Sequence, residues 1–97
     1  MKVNKKWKFN DAEDMGVLTT KQVVDGKKPI IYVSHDGEDG EWEFYGENLD
    51  AKNAIIIPFK AIVDLDKTLS DLADLPRGWV ATRSNKNEPW KREQNED

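Results

Sequence analysis

Proton chemistry near neutral pH needs a side chain that titrates there. The chain of 97 residues offers a single histidine, His35. Asp36 follows it directly, with Glu38 and Asp39 a few positions on. A histidine beside a carboxylate can act as a general base, or supply one ligand of a metal site. The ordinary alternative is a strand-end histidine whose ring bonds a turn carboxylate or a carbonyl. Ser34 points to the opposite face of any strand that carries His35, so no Ser–His pair is implied. With no cysteine and one histidine, a transition-metal site is poorly furnished, and no metal or cofactor is expected.

Asp36, Glu38 and Asp39 alternate with Gly37 and Gly40, which superficially resembles a calcium loop. Counted from Asp36, however, the loop position that needs glycine for its sharp turn holds Glu41, so the pattern fails. The acids mean more as a surface. From Asp36 to Asp50 the chain carries seven of them (Asp36, Glu38, Asp39, Glu41, Glu43, Glu47 and Asp50) and no Lys or Arg. Such a run is either a solvated sheet face or a docking surface that steers a basic partner.

Nucleotide-binding glycine loops, the nucleophile elbow and the zinc-protease helix motif are absent from the sequence. A pI near 5.0 and a net charge of -4 argue against a nucleic-acid binder. The longest apolar run, Ala54 to Phe59, falls far short of the ~20 residues that span a bilayer. Four N-terminal lysines (Lys2, Lys5, Lys6, Lys8) are followed by no apolar stretch of a signal peptide, so a cytoplasmic protein is expected.

The elements that would position these groups are short. Residues 16–19 read as a strand, and Thr19-Thr20-Lys21-Gln22 as a capping box opening a helix that Gly26 stops. Residues 30–35 form a β-branched and aromatic strand. Asp36-Gly37 and Asp39-Gly40 supply turn chemistry, and residues 41–45 alternate, with Trp42 and Phe44 inward and Glu41, Glu43 and Tyr45 outward. Ile55, Ile56 and Ile57, apolar on both faces, predict a central or buried strand. Pro58 then opens a helical turn over Phe59, Ile62 and Val63, and Asp66 or Thr68 caps a helix carrying Leu69, Leu72 and Ala73. A turn over 75–78 leads into a last strand over 79–83, with Trp79 joining Trp42 and Phe44 in the core.

The architecture expected is α+β: one small domain over 1–97, with an antiparallel-rich sheet of about 4–5 strands and two or three short helices packed on one face. Its ordered core covers about 16–83. The polar flanks over 1–15 and 84–97 are expected to be partly ordered, because each carries a tryptophan, Trp7 or Trp90, that favours docking onto the body.

Several of these residues also form a longer pattern. Thr19-Thr20-Lys21, Pro29-Ile30, Val33-Ser34-His35-Asp36 and Asp39-Gly40-x-Trp42-x-Phe44 are followed by Ile62-Val63-x-Leu65-Asp66 and Leu72-Ala73-Asp74-Leu75-Pro76-x-Gly78-Trp79-x-Ala81-x-Arg83. Together with Trp7-x-Phe9 and Pro89-Trp90-x-Arg92, this resembles a family of small uncharacterised bacterial proteins related to the immunity-protein 33-like domain of unknown function. The resemblance implies a non-enzymatic module that binds a protein such as a toxin domain. It supplies no catalytic residues. Of the shared residues, His35 and Arg83 are the least explained by packing. Two functional readings therefore stand. One is a protein-binding module using the acids of 36–50. The other is a small ligand-binding or hydrolase-like domain centred on His35, Asp36 and Arg83.

Overall fold

The computed structural model describes residues 7–47 and 53–95. Its strands are β1 (Gly16–Thr20), β2 (Tyr32–His35), β3 (Trp42–Tyr45), β4 (Ala54–Pro58), β5 (Trp79–Thr82) and β6 (Lys91–Gln94). Between them lie α1 (Lys21–Val24), α2 (Phe59–Leu65) and a 3-10 helix (Lys67–Leu72). The class is α+β, but the sheet is larger than expected and mixed. Six strands run in the order β4-β1-β3-β2-β5-β6, and β1 pairs parallel with β3.

The alternation of β3 sets the two faces of this sheet. Phe44 lies opposite Val33, which lies opposite Ala81, and all are fully buried. The helices pack on that side. Val23 of α1, Phe59, Ile62 and Val63 of α2, and Leu69 and Leu72 of the 3-10 helix share one apolar cluster with Trp42 and Phe44. Phe9 joins it, and Trp7 rests edge-on against Phe59 with ring centroids 5.2 Å apart.

Four expectations are corrected. The three isoleucines do not form a central strand: β4 is an edge, with Ile55 37% and Ile56 71% exposed. The helix cap falls on Thr20, whose hydroxyl accepts from the Val23 amide, while Thr19 stays buried in β1. Trp79 is only half-buried, because it starts β5 at the rim of the sheet. Finally, a sixth strand lies in the segment after residue 83. β6 has no apolar residue. It is held by its pairing with β5, by an Arg92–Asp74 ion pair of 2.8 Å, and by Arg92 donating to the Asp71 carbonyl.

Candidate partner-binding face

The side of the sheet opposite the helices is built from every second residue of each strand. One row runs Ile56, Leu18, Glu43, Ser34, Val80, Glu93 across all six strands. A second runs Tyr45, Tyr32, Thr82, Lys91. The hairpin turn places Glu41 two residues before Glu43 on this same side. No described helix contributes to it, since the residues that α1, α2 and the 3-10 helix bury belong to the cluster on the other face.

The six described acids of 36–47 do not act as a unit. Asp36 is occupied by the turn: its carboxylate accepts from the amides of Glu38 at 2.7 Å and Asp39 at 3.3 Å, which hold its pKa below the usual carboxylate range. Asp39 accepts from the Glu41 amide at 2.9 Å. Gly40 follows with φ 74, and Arg77 lies so close that a Cβ there would meet its guanidinium. Glu38 is exposed at the tip, and Glu47 lies 3.9 Å from Lys28. Asp50 lies outside the described residues. Glu41 and Glu43 remain as the half-buried acids of the outer face, and no Lys or Arg among the described residues makes an ion pair with either.

The electrostatics record this crowding. Partial burial pushes the Glu41 carboxyl above its ordinary pKa, with the charges of Asp39, Glu43 and Asp36 adding to the effect. Tyr45 faces outward as expected but is buried. Its ring lies 6.4 Å from Tyr32, and its pKa is pushed up to about 12, first by burial and then by the charge of Glu43 and a hydrogen bond with it. A carboxyl whose folded pKa lies above its unfolded value favours folding when protonated, so its ionisation at neutral pH destabilises the chain. Glu41→Gln is therefore expected to stabilise the chain at pH 7 by at most about 0.5 kcal/mol, the site being partly in water. Thermal melts should show that gain vanishing as acid protonates Glu41.

His35 and Arg83 are both accounted for by structure. His35 projects to the core side between Trp42 and Trp79. Its ring stacks on Trp42 at 3.9 Å, and its Nδ1 lies 2.8 Å from the Leu75 carbonyl, so that nitrogen carries the hydrogen. Arg83 is 7% exposed and pairs with Asp66 at 2.6 Å. It also donates through Nε and Nη2 to the Ile30 carbonyl and through Nη1 to Thr68, and its guanidinium lies 3.9 Å from the centre of the Trp90 ring. Burial alone pushes the Asp66 carboxyl up. Its hydrogen bonds with Thr68 and Arg83 outweigh that, and its pKa ends below the ordinary value.

The Arg83 amide bonds the Ile31 carbonyl, just ahead of β2 and four residues from His35. The two side chains therefore arise about 14 Å apart along the strand and form no common site with Asp36. A shallow cavity of about 390 Å3 beside Arg83 is lined by Thr82, Ser84, Glu88, Pro89 and Lys91. A larger cleft of about 690 Å3 has Lys28, Lys67 and Lys86 around Val23, Ile30 and Leu65. Neither cavity includes His35 or Asp36 among those residues. Among the described residues no three of His, Asp and Glu are grouped so as to hold a metal ion, and no helix is long and apolar enough to cross a membrane. No family model matches the chain, and neither a curated protein nor a solved structure does.

Proposed function

We propose that the chain is a non-enzymatic protein-binding module that docks a basic partner on its outer sheet face, occluding it in the manner of a toxin-immunity protein. The observation that carries this reading is the pair Glu41 and Glu43. Both lie on a face no described helix covers, both lack an ion-pair partner among the described residues, and Glu41 is held against its own ionisation first by partial burial and then by neighbouring acids. A carboxylate kept at such a cost, as Glu41 is, is explained by a cation supplied from outside. Around them lie groups of the kind an interface core uses: half-buried Tyr32, with half-buried Leu18 and exposed Ile56 in neighbouring strands. The anchors of the partner are then Lys or Arg side chains reaching Glu41 and Glu43, with apolar contact to the Leu18–Ile56 end of the row.

The test is capture from the native host, run in parallel with wild type and with Glu41→Lys/Glu43→Lys. Both side chains are partly solvated and neither has an ion-pair partner among the described residues, so the double variant should fold, its Tm changed little beyond the loss of the Glu43–Tyr45 hydrogen bond. Wild type is expected to retain a protein with a basic binding surface, and the variant to lose it. With the purified pair, association should slow at least about tenfold in the variant. It should also slow in wild type as salt shortens the Debye length from about 30 Å at 0.01 M to about 8 Å at 0.15 M. Equal capture by both proteins, or no partner at all, refutes the reading.

A further inference from the structure

The two edges of the sheet are built differently. β6 reads Lys91-Arg92-Glu93-Gln94, exposed throughout, a charged edge that discourages further pairing. β4 reads Ala54-Ile55-Ile56-Ile57-Pro58, carries no charge, and exposes Ile55 and Ile56. An uncharged, apolar edge strand is a template for another strand.

The register shows which backbone groups that edge offers. β4 pairs antiparallel with β1, Gly16 opposite Pro58, and the Phe59 amide continues the ladder by donating to the Met15 carbonyl at 2.8 Å. In an antiparallel pair, hydrogen-bonded and non-bonded positions alternate, and the N–H and C=O of one residue point to the same side. Counting back from Phe59, Ile57 and Ile55 bond β1, while Pro58, Ile56 and Ala54 turn their backbone groups away from it. Pro58 suits that position, since it has no N–H and proline is tolerated where the N–H would face away from the sheet.

We propose that this edge pairs antiparallel with the β4 of a second copy, about a two-fold axis at Ile56. There Ile56 and the partner's Ile56 exchange both backbone hydrogen bonds, and the Ala54 amide of each copy donates to the Pro58 carbonyl of the other, about four bonds in all. Ile55 falls opposite the partner's Ile57, so isoleucine meets isoleucine along the centre and neither strand carries a charged residue. The occupant follows from this self-complementarity: an uncharged strand with an isoleucine triplet at its centre is matched in register by its own copy, as an isologous contact requires. A two-fold axis perpendicular to the sheet keeps the helices of both copies on one side. Both outer faces, with Glu41 and Glu43 twice over, lie on the other. The pairing does not depend on the partner-binding reading and stands or falls separately.

One strand pair is a small interface beside the ~1,200–2,000 Å2 of a stable complex, so the dimer is a weak one. In sedimentation equilibrium from about 10 µM to about 1 mM, the apparent mass should rise from that of one chain toward twice that value. Over the same range, hydrogen exchange should slow at the Ala54 and Ile56 amides, while Ile55 and Ile57 stay protected throughout. Ile56→Lys sets like charges across the axis, and Ile56→Pro removes an N–H that bonds nothing in the single chain. Both should remain monomeric at about 1 mM. If the proline variant does not fold, the lysine variant, which keeps every backbone group, decides alone. A wild type that stays monomeric overturns the proposal. So does a dimer that survives Ile56→Lys, a dimer whose Ala54 and Ile56 amides still exchange freely, or an edge protected only by an unrelated strand peptide.

Discussion

Arg83→Ala should cost about 3–5 kcal/mol of stability, enough to unfold a large fraction of the chain if its total lies near the low end of the ~5–15 kcal/mol usual for a domain. The guanidinium is buried and serves three parts of the fold at once. It pairs with Asp66, the residue that caps the 3-10 helix; it supplies two donors to the Ile30 carbonyl ahead of β2; and it lies against Trp90 ahead of β6. Removing it leaves the Asp66 carboxylate partly buried with, among the described residues, the Thr68 amide and hydroxyl as its remaining donors. Urea titration should show the loss at neutral pH. The pH dependence carries the sign: Asp66 has its folded pKa below the unfolded one, so the pair's contribution is complete above about pH 4 and fades as acid protonates the group. The gap between wild type and Arg83→Ala should therefore narrow on acidification. A gap that widens in acid would show that Asp66 is not the partner that matters. Arg83→Met together with Asp66→Ala should cost less than the two single changes added, because no charge is then left buried alone.

Little of that role was legible in the sequence. Arg83 bonds Asp66 and Ile30, 17 and 53 positions away, and His35 bonds a carbonyl 40 positions away. A single sequence carries no signal that joins such distant residues, so both looked unexplained by packing and invited a chemical reading. The hairpin was legible because its causes are local: Asp-Gly pairs for the turn, and strict alternation that puts Trp42 and Phe44 on the buried side. The outer position of Glu41 and Glu43 follows from that same alternation. What could not be read was that the remaining acids of 36–47 would be taken up by the turn or spread away from the face, since that depends on carboxylate-to-amide bonds within it.

Errors at the sheet edges have a common physical origin. Periodicity reports apolar faces, and it treats a strand as central when both faces are apolar. β4 has that pattern but lies at an edge, its outward isoleucine uncovered within the chain. β6 shows the reverse, a strand with no apolar residue, assembled by backbone pairing and the polar contacts of Arg92. The parallel alignment of β1 with β3 was equally invisible, because it depends on how the intervening hairpin folds back rather than on any local preference.

The hub of the core is Trp42, and Trp42→Ala should cost about 3–5 kcal/mol, toward the upper end of that range. The indole is 1% exposed and lies among four rings: stacked on His35 at 3.9 Å and parallel to Phe44 at 6.1 Å, edge-on to Phe9 at 5.4 Å, and 5.5 Å from Phe59. Its Nε1 also donates to the Asp11 carboxylate at 2.6 Å, which ties the segment before β1 to the sheet. Alanine would leave a cavity that β3, fixed between β1 and β2, cannot close by moving. Trp42→Phe separates the contributions: it keeps much of the ring packing but loses the donor, and should cost about 1.5–3 kcal/mol less any relaxation of Asp11 toward water. Denaturant melts of the two variants, with hydrogen exchange at the amides of Phe9 to Met15, distinguish the two effects. The phenylalanine variant should loosen that segment while β3 stays protected, and the alanine variant should loosen both. Should Trp42→Ala cost under about 1 kcal/mol, the side chain would have to lie on the solvent side of the sheet, and the register that places Glu41 and Glu43 outward would be wrong with it.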